Sequence, residues 1–196
     1  MIKREDCLYT SCYCEENIYK FIRKHCEQFD EVYAVFITNP RQQCVIWCQK
    51  LSDAPAVTPV CWDYHVVAVA RKSSEHYVFD FDTTLSFPCP LDLYAKECFK
   101  PSNPEISQWW LQFAIMTGHY FRAVKGPDFL KTFSSDRSHM IDESSGNWKS
   151  DPPGYEPIYR PDLGHNLMDF LDLENTALPG KWLDFSNFLE LFSCSL

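Results

Sequence analysis

No stretch of the sequence approaches the roughly 18 consecutive apolar residues that a membrane helix needs, so a helical span is excluded. No apolar run follows Met1-Ile2-Lys3-Arg4-Glu5-Asp6, and a secretory signal is not expected. Basic excess is missing too. The net charge of −9 and pI near 5.1 argue against nucleic acid or an anionic membrane as the partner, and suit a site for cationic groups such as a peptide α-ammonium. No CxxC occurs: Cys12 and Cys14 are separated by one residue and Cys44 and Cys48 by three, without a second pair at finger-like spacing. Zinc is therefore not expected, and no other cofactor is. Ten cysteines in a chain of 196 residues without a signal read as thiols in a reducing compartment. There is no internal repeat, low-complexity segment or linker, so residues 1–196 are expected to form one domain.

What is present centres on Ser11-Cys12-Tyr13-Cys14-Glu15-Glu16-Asn17-Ile18. Ile18, Phe21, Ile22 and Cys26 follow at helical spacing, which predicts a helix running to about His25. Acids occupy its first turn, as the helix dipole favours. Cys14 then sits where backbone N–H groups are unpaired, a position that favours the thiolate, the nucleophilic form. A small buried hydrophobe is the other reading of a free cysteine.

Val32-Tyr33-Ala34-Val35-Phe36-Ile37-Thr38 is β-branched and aromatic and predicts a buried strand. Asn39-Pro40-Arg41 turns the chain into a second strand at Cys44–Cys48. The longest strand candidate is residues 60–70, followed by a polar break at Arg71-Lys72-Ser73-Ser74 and a further strand at His76–Asp82. A four-residue connection that pairs Ala70 with Glu75 sets His65 opposite Asp80, on one face with Asp63 and Asp82. Shifting the register by two would substitute Asp82 for Asp80. Two polar side chains inside apolar strands are costly unless paired.

Farther along, helices are expected at Leu91–Phe99, around Ile106-Trp109-Trp110-Phe113 as core packing, at Pro127–Phe133, and at Phe185–Phe192 behind Asp184 as N-cap. Tyr120–Val124 reads as a strand, and residues 134–148 as a loop dense in hydrogen-bonding groups.

A cysteine at a helix start, with histidine and aspartate on adjacent antiparallel strands, is the arrangement of papain-like and transglutaminase-like thiol hydrolases. The expected fold is therefore α+β, an antiparallel sheet packed against the helix carrying Cys14. In such a site Cys14 attacks a carbonyl carbon, His65 moves the proton, and Asp80 holds the imidazole tautomer, with the Cys14 N–H in the oxyanion hole.

Tyr13-Cys14-Glu15-Glu16-Asn17, Trp62-Asp63-Tyr64-His65-Val66-Val67, Asp80-Phe81-Asp82-Thr83, Phe87-Pro88-Cys89, Ser135–Met140 and Ser145-Gly146-Asn147-Trp148 together resemble the protein N-terminal glutamine amidohydrolase family. The resemblance covers roughly residues 7 to 153 and weakens after about Tyr159, with Trp109-Trp110 standing where more polar residues are expected. It implies a triad at Cys14, His65 and Asp80 and hydrolysis of the side-chain amide of an N-terminal Gln through a thioester, giving N-terminal Glu and ammonia. It also implies a cytoplasmic and nuclear monomer whose product feeds arginylation and N-degron degradation, and whose partners are proteins or peptides with a free N-terminal Gln. For the α-ammonium, Glu16 and Asp63 are the expected acids. A thiol protease or transglutaminase-like enzyme, and a non-catalytic module that reads N-termini, are the alternatives.

Overall fold

In the computed structural model, which describes residues 2–194, the apolar run after the first helix forms β1 (Glu31–Thr38). It is a central strand of a six-stranded sheet. The other strands are β4 (His65–Lys72), β5 (Glu75–Phe79), β6 (Cys89–Pro90), β7 (Tyr120–Lys125) and β8 (Trp182–Asp184). The order is β6-β5-β4-β1-β7-β8, and every neighbouring pair is antiparallel.

Antiparallel strands usually alternate apolar and polar because one face meets water, but β1 and β4 are covered on both faces. Their period of two sends Val32, Ala34 and Phe36, with Val66, Ala68 and Ala70, to one side. There they pack against Ile18, Phe21 and Ile22 of α1 (Cys14–His25), Phe129 of α4 (Gly126–Thr132) and Phe170 of α5 (Leu167–Leu171). Val35, Ile37, Val67 and Val69 face the other way, toward Tyr94 and Cys98 of α2 (Leu91–Phe99) and Phe188 of α6 (Phe185–Leu191). Helices thus cover a mostly apolar sheet from both sides, a mixed α/β architecture of three layers.

The first helix begins at Cys14 and ends at His25. Its first turn carries Glu15 and Glu16 and its last Arg23, Lys24 and His25, so charges complement both ends of the dipole. No side chain caps it at Tyr13. Asn17 instead clasps the preceding loop, accepting from the Thr10 N–H at 2.9 Å and donating to the Thr10 carbonyl at 2.8 Å. That clasp fixes the chain entering Cys14. At the other end of the sequence, the Asp184 carboxylate caps α6 by accepting the Asn187 N–H at 2.8 Å.

Three expectations are corrected. The single strand over residues 60–70 is two: β3 (Val60–Trp62) leaves the main sheet to pair with β2 (Cys44–Ile46), and β4 starts afresh at His65. The hairpin connection has two residues, Ser73-Ser74, because Lys72 pairs with Glu75 and Ala70 with Tyr77. Ser73 at φ 59° permits that tight reversal, and the ladder stands two residues away from the register expected. The third correction concerns α3 (Gln108–Thr117): Trp110 and Phe113, with Ile106 just before the helix, pack against the core as expected, but Trp109 is 61% exposed. With only Gln108 and Gln112 polar before Thr117, the apolar pattern of this helix does not single out Trp109 as the residue turned to water.

Candidate active site

Three elements meet at one end of the sheet. The first turn of α1 brings Cys14, the first residue of β4 is His65, and Asp80 follows the last residue of β5. His65 is fully buried, with the Trp62 indole stacked on its ring at 5.0 Å and 17°. Its Nε2 lies 2.9 Å from Asp80 Oδ1, while Nδ1 makes no hydrogen bond within the protein.

Asp80 is held on every side. Oδ1 also accepts the Asp82 N–H at 2.9 Å, and Oδ2 accepts from Gln49 Nε2 at 3.0 Å and Tyr94 Oη at 2.8 Å. Burial would raise this carboxyl, but the His65 charge and hydrogen bond, Gln49 and the Asp82 amide bring it down to about 2. For His65 the balance runs the other way. Burial lowers an imidazole's pKa, yet the Asp80 charge and hydrogen bond, with Asp82 and Glu15 beyond, leave it raised. An ionised Asp80 on Nε2 assigns the ring proton there and leaves Nδ1 as an acceptor.

Cys14 is 7% exposed and opens on a cavity of about 420 Å³ whose walls include Trp62, Asp63, Tyr64, Asp82 and His139. The Val66 N–H, next in chain to His65, points at its sulfur, and Glu15 Oε2 lies 3.6 Å away. Among the described residues no hydrogen bond joins Cys14 to His65. Nor is the pKa of the thiol lowered, as a helix start would favour. Burial pushes it well up, and the charges of Glu15, Asp82 and Asp63 outweigh the Val66 amide. Burial and the nearby carboxylates outweigh the dipole of α1.

Glu16 is not available to an ammonium. It is fully buried, and its oxygens accept from Arg137 Nε at 2.7 Å and Nη2 at 2.8 Å, a bidentate pair 121 residues apart in sequence. Arg137 also donates to the Pro153 carbonyl at 3.4 Å and lies over the Tyr155 ring. This pins the loop after α4 across the start of α1, placing His139, Met140 and Lys149 on the cavity wall. Asp63 does border the cavity; it is exposed, and its Oδ1 caps the Tyr64 N–H at 2.8 Å.

Sequence reasoning passed over Glu15, Tyr64 and His139. Glu15 is fully buried beside the nucleophile; its Oε2 accepts from Tyr64 Oη at 3.1 Å, and His139 Nε2 lies 3.5 Å from Oε1. Alternation along β4 gives no hint of Tyr64, which precedes the strand, and nothing local links residue 139 to residue 15. Among the described residues one set of metal-type donors converges: His65, Asp80 and Asp82, within 4.8 Å of one another. Asp80 there is already filled by four protein donors.

Residues 9–192 match the model of the N-terminal glutamine amidase family. The chain belongs to that family. It is 42% identical over 196 residues to the protein N-terminal glutamine amidohydrolase of Bos taurus, covering 97% of this chain and 89% of the relative. The corresponding protein of Danio rerio is 40% identical over 192 residues, with 95% and 89% covered. That of Arabidopsis thaliana is 39% identical over 173 residues, with 83% and 74% covered. The family match extends through the segment after Tyr159 in which the motif resemblance faded, and α5, β8 and α6 lie in that segment.

Proposed function

We propose that this protein hydrolyses the side-chain amide of an N-terminal glutamine, releasing ammonia and leaving N-terminal glutamate, with Cys14 as nucleophile, His65 as acid and base, and Asp80 as its anchor. The observation that carries the reading is the state of His65: Nε2 committed to a low-pKa carboxylate, Nδ1 buried and unpartnered, and Cys14 beside the next residue's amide. Cys14 Sγ attacks the amide carbon as His65 Nδ1 takes the thiol proton. The tetrahedral oxygen meets the outward N–H groups at the start of α1. Collapse breaks the C–N bond, the imidazolium returns the proton to the departing nitrogen, and ammonia leaves a thioester. Water, deprotonated by His65, then hydrolyses it to the carboxylate.

A cysteine at a helix start, facing histidine and aspartate from neighbouring antiparallel strands, is also the basis for placing the fold with papain-like and transglutaminase-like thiol hydrolases. We further read the protein as a monomer of the cytoplasm and nucleus whose product enters arginylation and N-degron degradation. Ten free cysteines support a reducing compartment, and among the described residues no helix is long and apolar enough to cross a membrane.

The assay is ammonia release from short peptides. A peptide with a free N-terminal Gln is expected to react, and one with internal Gln is not. N-terminal Asn, one methylene shorter, leaves its carbonyl short of Cys14 and reacts far more slowly. Equal rates from free and acetylated Gln-peptides would favour the transglutaminase-like alternative, and binding without ammonia a non-catalytic module.

The pH profile tests the Asp80–His65 link. Only neutral His65 accepts the thiol proton, so kcat/KM rises with pH through a pKa above 6.5, the ordinary histidine value. Asp80→Asn removes the charge that raises it. The inflection is expected to move down and the rate to fall on the order of 10²–10⁴-fold, as triad precedent suggests. An inflection that stays in place would separate Asp80 from the proton transfer.

A further inference from the structure

A buried carboxylate on the cavity wall shared with the nucleophile has one free oxygen. Asp82 is 3% exposed, and its Oδ1 accepts the Tyr9 hydroxyl at 2.5 Å. Oδ2 makes no hydrogen bond within the protein, and the residue lines the same cavity as Cys14. Among the described residues Asp82 forms no ion pair: the nearby Lys50 ammonium donates instead to the Phe81 carbonyl at 2.9 Å. A buried carboxylate is expensive to keep ionised without a cation. Solvent alone is a poor substitute in a cavity walled by Trp62, Met140, Met168 and Leu171.

The position suits one particular cation. A carboxylate oxygen of Asp82 lies within 4.8 Å of a His65 ring nitrogen, and Asp82 and Cys14 line one cavity. In an N-terminal glutamine the amine nitrogen and the side-chain amide carbon are four bonds apart, roughly 5 Å when extended. With the amide carbon at Cys14, the ammonium extends along the cavity that Asp82 also lines. We propose that Asp82 Oδ2 is the seat of the substrate's α-ammonium, with Tyr9 fixing the carboxylate and Asp63 at the rim of the same cavity. This deepens the deamidase reading and rests on it for the identity of the ligand.

Glu15, the other buried acid near the thiol, accepts from Tyr64 at Oε2, has His139 3.5 Å from an Oε1 that makes no hydrogen bond, and does not line the cavity. Seating an ammonium on Asp82 also has a consequence for the nucleophile. The Asp82 charge is one of those that push the Cys14 thiol up, and a cation there offsets it. A free amine would then be required both to bind and to ease ionisation of the thiol it is delivered to.

The test compares a Gln-peptide with its des-amino analogue, identical except that hydrogen replaces the α-ammonium. Wild-type kcat/KM is expected to favour the Gln-peptide by about 10- to 100-fold, the range of one charged hydrogen bond. Asp82→Asn, which keeps an acceptor for Tyr9, lowers the Gln-peptide alone, chiefly through KM, and removes most of that preference. Asp82→Glu, which keeps the charge, restores part of it. Equal loss on both substrates, or a preference left intact, would overturn the proposal and make Asp82 a support for His65. Calorimetry on Cys14→Ala supplies a readout free of turnover: adding Asp82→Asn weakens the Gln-peptide by the same factor and leaves the acetylated peptide unchanged. If wild type releases no ammonia but this binding difference holds, the deamidase reading falls and the ammonium seat stands.

Discussion

Replacing Cys14 with alanine is expected to abolish ammonia release from a Gln-peptide, while circular dichroism and the denaturation midpoint stay close to wild type. The sulfur opens on the cavity at the start of α1 and is the atom assigned to form the acyl bond, so its loss removes that covalent route. The fold does not depend on it. Cys14 adds one small side chain to a large cluster, and Asn17 rather than Cys14 clasps the preceding loop. His65→Ala is expected to be nearly as severe, since no other base within hydrogen-bond reach of Asp80 can replace it. A Cys14→Ala protein that still releases ammonia near the wild-type rate would end the thiol mechanism.

The largest stability effect is expected at Arg137. Its partner Glu16 has no exposed surface, and truncating Arg137 to alanine strands that carboxylate in the interior. Breaking a buried pair by removing one partner costs about 3–5 kcal/mol, a large part of the roughly 5–15 kcal/mol that holds a domain together. Urea denaturation of Arg137→Ala reads this directly, and Glu16→Ala should cost a similar amount. Replacing both with apolar residues of similar volume, as in Glu16→Leu with Arg137→Met, should recover much of the loss. Activity is expected to fall in Arg137→Ala as well, because the anchored loop carries His139 and Met140 to the cavity. A midpoint shift worth less than about 1 kcal/mol would mean that the pair is far better solvated than its burial indicates.

The two charges at the start of α1 show where a sequence stops being informative. Adjacent residues on a helix point about 100° apart, so one of Glu15 and Glu16 reaches Tyr64 and the other reaches Arg137. Which acid does which depends on a partner 121 positions away. The state of the thiol was hidden for the same reason: a dipole can be read from the helix start, whereas burial and the approach of Asp82 belong to the assembled fold. By contrast the elements themselves were legible. The apolar runs of β1 and β7, the helix at Cys14–His25 and the Asp184 cap all follow from local pattern.

His65 and Asp80 are an instructive middle case. Both were picked out as polar residues in apolar strands, and they do hydrogen-bond at 2.9 Å. The register used to pair them was nevertheless off by two, since the two-residue turn aligns Ala68 with Phe79. Asp80 still meets His65 because β5 ends at Phe79 and the backbone departs from the ladder there. Gln49 and Tyr94, from the opposite layer, then complete its cage. Both side chains need a partner because they are buried, whatever the register of the ladder.

The most direct measurement of the central claim is the site of acylation during a single turnover. Wild-type enzyme mixed with excess-free Gln-peptide, quenched in acid and mapped by mass spectrometry, is expected to carry the glutamyl-peptide acyl group on Cys14 as a hydroxylamine-labile thioester. Asp80→Asn should show the same adduct formed more slowly. An acyl group on another cysteine, Cys12 on the same cavity being the nearest rival, would contradict the assignment of Cys14 as the nucleophile.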